Sequence, residues 1–358
     1  MKILIATPLY PPDIGGPATY SQLLFNELPK RGVRVSVLSF GEVRGLPKII
    51  RHLVYFFKLI KKSYRVDIMF AQDTASVGFP TLLAAKILGK RFFVRVPGDY
   101  AWEQATQRYD VKDSVDEFQT KKYGWRVEFL RKIQKMTVNG AETVIAPSQY
   151  FRQLVSRWVN EPQKVFCIYN GIDLTTIPKS DGKYEPKTII SAGRLVPWKG
   201  FVALIKIMKV LPEWKLFIAG DGPMRRELES AVIHNEVKAR VFFLGQIPRE
   251  ELVQKIQKSD IFVLNTSFES FSFQVVEAMA AGVPVVTTNI GNLPEIIDSG
   301  KSGILVAPND EETIILSITH LSSDATFRER IIVEARKKSQ QFSIENTLNN
   351  LLSHLKKS

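Results

Sequence analysis

Cysteine occurs once, at Cys167, so the chain can form neither an internal disulfide nor a cysteine-cluster metal site, a usage that fits a reducing compartment. Histidine is nearly as scarce. His52, His234, His320 and His354 all fall in helical patterns away from strand ends, where a structural role is expected. No run of about twenty apolar residues exists, which argues against a membrane-spanning helix. The N-terminus, Met1-Lys-Ile-Leu-Ile-Ala-Thr-Pro8, becomes a short strand at once and then meets Pro11 and Pro12. It lacks the apolar core of a signal peptide, which points to the cytoplasm. No dinucleotide-binding glycine fingerprint follows that strand, and no zinc-ligand spacing, recognition helix or basic tail is found.

What the chain does have is a steady alternation. Short apolar runs such as Lys2–Ala6, Asp67–Ala71, Thr188–Ala192 and Ile261–Leu264 alternate with helical patterns, which predicts an α/β fold with parallel sheets. At 358 residues and 45% hydrophobic composition it can fill two ordinary domain cores. The polar stretch 175–187, with Pro178, Gly182 and Pro186, reads as the linker between them. Parallel sheets bind ligands at the carboxyl ends of their strands, so two such domains facing one another predict a central cleft.

The most informative segment runs from Asn265 to Thr288. Ile261–Leu264 reads as a buried strand, Phe273–Ala281 as a helix, and Gly282 as its stop signal. This puts Glu269 on a loop and Glu277 on the following helix, whose free N–H groups near Ser270 and Ser272 form an anion site. A phosphorylated sugar suits that arrangement, because carboxylates accept hydrogen bonds from hydroxyls while a helix end meets phosphates. Any strand–loop–helix unit can place two glutamates so by chance. A second loop strengthens the functional reading: Ser191-Ala-Gly-Arg-Leu-Val-Pro-Trp-Lys-Gly200 presents Arg194 and Lys199, a planar fork and a point charge for diphosphate oxygens, although an exposed basic loop would look the same. The loop after the first strand carries Gly15 and Gly16, which permit close approach of a phosphate or sugar and also serve ordinary turns.

Taken together and in order, these segments resemble the retaining glycosyltransferases of family 4 (glycosyl transferases group 1) on the two-domain GT-B scaffold. The resemblance is carried by Thr7–Tyr20, Ala146–Tyr150, Ile168–Asp173, Gly193–Gly200, Ala219-Gly-Asp-Gly-Pro223, Phe243-Leu-Gly245 and the Glu269/Glu277 segment, and so spans nearly the whole chain. It implies two Rossmann-like domains: an acceptor domain over 1–174, a linker over 175–187, a nucleotide-sugar domain over 188–342, and a terminal helix over 343–358 that returns to the first domain. It further implies transfer of a sugar from a nucleotide-diphosphate sugar to an acceptor hydroxyl with retention, in the synthesis of a cell-surface polysaccharide or glycolipid. By position, Arg194 and Lys199 would meet the diphosphate, Glu269 the donor sugar and Glu277 the ribose. Gly15, Gly16, Gly193, Gly220, Asp221, Gly222, Gly245, Ser272 and Phe273 would complete the donor pocket. Tyr20, Asp99 and Trp102, on first-domain loops at strand ends, would face the acceptor, a sugar or lipid-linked sugar.

Two departures from the family pattern stand out. Pro97, in Arg95-Val-Pro-Gly-Asp-Tyr-Ala-Trp-Glu103, occupies the place of the usual histidine, so Asp99 or Glu103 would have to supply any polar role there. Ser272 replaces the usual glycine and can still cap the helix. The resemblance also implies that protein cations replace a bound metal, with no cofactor. The chain has no Asp-x-Asp motif, and Asp221 is expected to shape the nucleotide pocket rather than ligate a cation.

Charge is uneven. Residues 1–178 hold 26 Lys/Arg against 15 Asp/Glu, or +11, while 179–358 hold 23 against 21, or +2. Between Arg44 and Arg65 there are seven basic residues and no acid. On a helical wheel Ile50, Leu53, Val54, Phe57 and Ile60, with Ile49 and Phe56, fall opposite Lys48, Arg51, Lys58 and Lys62. Such a face packs on its own sheet or docks on an anionic membrane, which would put the enzyme on the inner membrane face. Two other functions remain open at this level: a nucleotide-sugar epimerase on a similar scaffold, and a basic protein that binds phosphate backbones without catalysis. The even charge of the second half argues against nucleic acid.

Overall fold

The computed structural model describes residues 1–13, 15–178 and 184–356, without the side chains of Lys48 and Ile49. It divides into two compact units, Met1–Asn170 with Thr347–Ser358, and Gly171–Asn346.

The first unit begins with β1 (Lys2–Thr7), α1 (Gly16–Glu27), β2 (Arg34–Ser39) and α2 (Lys48–Ser63). It continues with β3 (Ile68–Ala71), α3 (Gly78–Leu88), β4 (Arg91–Arg95), α4 (Tyr100–Arg108), α5 (Val115–Thr120) and α6 (Trp125–Asn139). It ends with β5 (Thr143–Ala146), α7 (Gln149–Ser156) and β6 (Val165–Cys167). All pairings are parallel, in the order β2-β1-β3-β4-β5-β6. β3 and β5 are buried at every position, as continuous apolar runs covered on both faces should be. Phe70 and Phe93 meet edge to face in this core at 6.5 Å.

The second unit contains β7 (Glu185–Ala192), α8 (Phe201–Ile207), β8 (Lys215–Ala219), α9 (Arg225–His234), β9 (Val241–Gly245) and α10 (Arg249–Gln257). Then come β10 (Ser259–Leu264), α11 (Phe273–Ala281), β11 (Val285–Thr288), α12 (Leu293–Ile296), β12 (Ile304–Val306), α13 (Glu311–Ser323) and α14 (Ala325–Ser339). Its parallel sheet has the order β12-β11-β10-β7-β8-β9, and Ile189, Leu216, Ile261 and Val263 bury under Leu204, Leu228 and Ile318 from the helices.

The apolar runs thus fold as the expected α/β pair of parallel sheets. One boundary differs. Glu185–Lys187, expected within the linker, extends β7: the Glu185 N–H donates to the Lys258 carbonyl at 2.7 Å and the Lys187 N–H to Asp260 Oδ2 at 2.9 Å. All three residues are exposed, and a bulge between Ser259 and Ile261 accommodates them. Gly182 of that stretch lies outside the described residues. The last helix, α15 (Ile344–Leu355), is anchored in the first unit, where Thr347 Oγ1 donates to the Tyr169 carbonyl at 2.8 Å and His354 packs on Phe166 with centroids 4.0 Å apart.

α2 leaves part of its expected apolar face exposed. Tyr55, Leu59 and Ser63 turn inward, with the Tyr55 hydroxyl donating to the Leu38 carbonyl at 3.1 Å. Ile50, Leu53 and Phe57 lie on the opposite side and are exposed.

Candidate functional site

In the second sheet β7, β8 and β9 run one way from the centre and β10, β11 and β12 the other. The loops after β7 and β10 therefore diverge to opposite faces and leave a crevice at the strand ends, the usual ligand position in open parallel sheets. Lys199, from the loop after β7, and Glu269, from the loop after β10, meet there as an ion pair, each side chain only 12–13% exposed. Arg194, on the same loop as Lys199, is exposed.

Backbone bonds lock these loops together. The Gly193 N–H donates to the Ala219 carbonyl at 3.0 Å, Leu195 N–H to Asp221 at 3.0 Å, Gly220 N–H to Gly245 at 2.7 Å and Ser267 N–H to Trp198 at 2.8 Å. Gly220 serves this locking directly, since a Cβ there would lie 2.0 Å from the Gly193 carbonyl oxygen. Gly200, with φ of 57°, likewise packs on the Asn265 carbonyl, 2.2 Å from where its Cβ would stand. Gly222 abuts Leu195, whereas Gly193 faces the Lys199 side chain at 3.6 Å. The Asp221 carboxylate accepts from the Gly222 N–H at 2.7 Å.

α11 carries the second glutamate. Ser272 is its N-cap, accepting from the Val275 N–H at 3.4 Å, and Phe273 packs edge to face on Phe271 at 5.5 Å. Gly282 ends it in the left-handed conformation that only glycine takes freely. Val275, Val276, Ala278 and Met279 are all buried, so Glu277 is a lone charge in an apolar helix, 3% exposed. Burial raises its carboxyl above the ordinary range, and Arg249 pulls it back. Arg249 Nε donates to Glu277 Oε1 at 2.5 Å and its Nη1 to Thr176 Oγ1 at 2.9 Å. The sequence reading missed Arg249. Its signal is the placement of a cation at the first residue of α10, against the helix dipole. Asn292 was missed too: its backbone N–H reaches the Glu269 carbonyl at 3.4 Å and its wholly buried amide has no partner.

The first sheet has its own switch point, between β1 and β3. Gly15, with Gly16 opening α1, forms the turn there. Gln72 and Thr74 just beyond β3 bury side-chain polar atoms without partners. At the end of β4, the Arg95 guanidinium lies 4.1 Å from the Tyr20 ring centroid and donates to Asn170 at 2.7 Å. Its remaining nitrogens and the Tyr20 hydroxyl are buried and unpartnered, and burial draws the guanidinium down to about 10.

Of the expected acceptor contacts, Asp99 and Trp102 are corrected to scaffold. Asp99, 1% exposed, caps α4 by accepting from the Trp102 N–H at 3.1 Å, and also accepts from Gln119 at 2.9 Å and Gln134 at 3.0 Å. Trp102 is buried with its indole donating to the Asp113 carbonyl at 2.9 Å. Tyr20 is wholly buried under Arg95, inside the unit. Glu103 is partly exposed, and its carboxylate lies over Gly98 beside Pro97. Among the described residues no group of three His, Cys, Asp or Glu side chains is arranged to hold a metal ion.

The glycosyl transferases group 1 model matches residues 174–338, and the glycosyltransferase family 4 model matches residues 14–176. The chain belongs to this glycosyltransferase family. It is 35% identical over 211 residues to an uncharacterized glycosyltransferase of Methanocaldococcus jannaschii, covering 54% of each chain. It is 28% identical over 207 residues to the putative colanic acid biosynthesis glycosyltransferase WcaL of Salmonella typhimurium, covering 54% of this chain and 51% of that one. The chain spans about half the length of the curated relatives it matches. In fold it is similar to Anabaena HepE, solved in complex with UDP and glucose, with a TM-score of 0.81 and 19% identity over 100% of both chains.

Proposed function

We propose that this protein transfers a glycosyl group from a nucleotide-diphosphate sugar to an acceptor hydroxyl with retention of anomeric configuration. The observation that carries this reading is the meeting of Lys199 and Glu269 across the switch point, beside a helix whose buried Glu277 is fixed by Arg249. The donor diphosphate draws the Lys199 ammonium away from Glu269. Glu269 is then released to accept hydrogen bonds from the donor sugar. Arg194 and the N–H groups at the start of α11 add positive charge where the leaving diphosphate gains negative charge. Glu277 accepts from the ribose hydroxyls.

In the reaction the bond between the anomeric carbon and the diphosphate oxygen breaks, and a bond to the acceptor oxygen forms on the same face. The hydroxyl proton leaves on the released diphosphate or to solvent. The first unit takes the acceptor at its strand ends, where Glu103 rather than Asp99 supplies the carboxylate beside Pro97. A place in cell-surface polysaccharide or glycolipid synthesis is supported by the colanic acid role in the name of the Salmonella relative.

The test is a transfer assay with a panel of nucleotide sugars, reading the product linkage by NMR. The donor's own anomeric configuration is expected in the product. An inverted linkage would overturn retention, and an isomerised donor formed without acceptor would show an epimerase instead.

A further inference from the structure

α2, α3 and α6 form one layer over the first sheet, α2 packed on α3 and α3 on α6. Each helix already has a buried inner row, represented by Tyr55 and Leu59, by Leu82 and Ala85, and by Val127 and Val138. Each also carries a second apolar row facing out. On α2 it is Ile50, Leu53 and Phe57, at i, i+3 and i+7; on α3 it is Leu83 and Ile87, at i and i+4. On α6 it is Trp125, Phe129 and Met136, with Trp125 76% exposed. In the second unit exposed apolar residues are scattered, as Ile233 on α9, Leu316 on α13 and Val333 on α14. Single exposed side chains need no explanation, but three adjacent rows on neighbouring helices make a patch of the kind that marks a binding surface.

The charge on this face selects the partner. α2 and α3 contain no acid, and the Glu128 of α6 is held by Arg131 at 2.9 Å. Lys58 and Lys62 are engaged by Glu42. Lys61, Lys86, Arg126, Lys132 and Lys135 are exposed among or beside the apolar rows. At the end of α2 an open pocket of about 440 Å³ is lined by Ile60, Lys61, Lys62, Tyr64 and Arg65, a set of donors suited to a phosphate headgroup.

We propose that the outer face of the α2–α3–α6 layer docks on an anionic lipid surface, with the apolar rows entering the headgroup region and the lysines meeting lipid phosphates. Aromatic and aliphatic rows rimmed by Lys and Arg are the chemistry of interfacial binding, and the attraction requires negatively charged lipid. Among the described residues no helix is long and apolar enough to cross a membrane. The proposal does not depend on the reaction assigned above, because vesicle binding is read without donor or acceptor.

The experiment is flotation of the full chain with vesicles of phosphatidylglycerol or of phosphatidylcholine, at low and at 1 M salt. Binding to phosphatidylglycerol alone, weakened by salt, is expected. Phe57→Ser and Trp125→Ser should each weaken it about ten- to hundredfold, and Lys61→Ala about fivefold. Leu316→Ser, on the second unit, should leave it unchanged. All four positions are exposed, so the melting temperatures should match wild type. Equal binding to both lipids, or no flotation with phosphatidylglycerol, would overturn the proposal. So would a concentration-dependent dimer abolished by Phe57→Ser, which would mean that a second copy covers the face, or duplex DNA binding lost in the same variants.

Discussion

Glu277 is the one charge on a helix otherwise buried among apolar side chains, and Arg249 is its partner at 2.5 Å. Removing one member of a fully buried pair costs about 3–5 kcal/mol, because the other charge is left uncompensated. The Arg249 side chain is 33% exposed against 4% for Glu277, so solvent screens part of the interaction. Arg249→Met should therefore cost about 2–3 kcal/mol at pH 7.5, a fall of roughly 5–10 °C in the second unit's transition. The sign of the pH dependence follows from burial, which raises the Glu277 carboxyl above its unfolded value. The protonated form is favoured in the fold, so the stability it contributes is present below the unfolded value and is lost as pH rises through the folded one. Without Arg249 the raising effect stands alone, so the deficit should be smaller at pH 5 than at pH 7.5, because lower pH favours the protonated form. Glu277→Gln leaves the arginine, one-third exposed, partly hydrated and should cost about 1 kcal/mol. The double variant should fall short of the sum of the single costs by about 1–2 kcal/mol. Scanning calorimetry at the two pH values measures all four proteins. An Arg249→Met shift below about 1 °C, or one equal at both pH values, would refute the reasoning.

Three further outcomes follow from single contacts. Gly200→Ala places a Cβ 2.2 Å from the Asn265 carbonyl in a left-handed conformation, and should cost about 2 kcal/mol or more by denaturant unfolding; a neutral result would mean the loops after β7 and β10 are not locked as described. Ser272→Ala removes the α11 cap, whose hydrogen bond is long at 3.4 Å, and should cost about 0.5–1 kcal/mol by the same measurement, with stabilisation the contrary result. Asp99→Asn presents an amide to Gln119 and Gln134, which cannot turn over because Trp158 donates to Gln119 Oε1 at 2.8 Å and the Ala101 N–H to Gln134 Oε1 at 2.7 Å. It should lose about 1–3 kcal/mol while donor binding is unchanged, and a stable variant that loses acceptor affinity would return Asp99 to the site.

The two sheets were legible because buried parallel strands are short apolar runs, and Phe273–Ala281 because Ser272 and Gly282 punctuate it. Glu185–Lys187 was not, since two charged residues around a proline on an exposed strand end look like a connector. The direction of α2 was hidden for another reason. Its wheel sets a wide apolar arc opposite the basic residues, yet Tyr55, Leu59 and Ser63, from the basic side, meet the sheet while Ile50, Leu53 and Phe57 face out. In the site, the loop positions of Glu269, Lys199 and Arg194 could be read from strand ends. Arg249 could not be paired with Glu277, 28 residues away, because that contact depends on packing of α10 against α11. Asp99 and Trp102 lie near a strand end as expected, but burial turns them to holding α4 in place.

The central claim is that a nucleotide-diphosphate sugar binds the second unit through Lys199, Glu269 and Glu277. The most direct measurement is thermal stabilisation by a panel of nucleoside diphosphates and their sugars, for wild type, Lys199→Ala and Glu277→Ala. One nucleoside diphosphate family should raise the wild-type melting temperature and fail to raise that of either folded variant. Stabilisation that persists undiminished in both variants, or no response of the wild type to any nucleotide, would contradict the account.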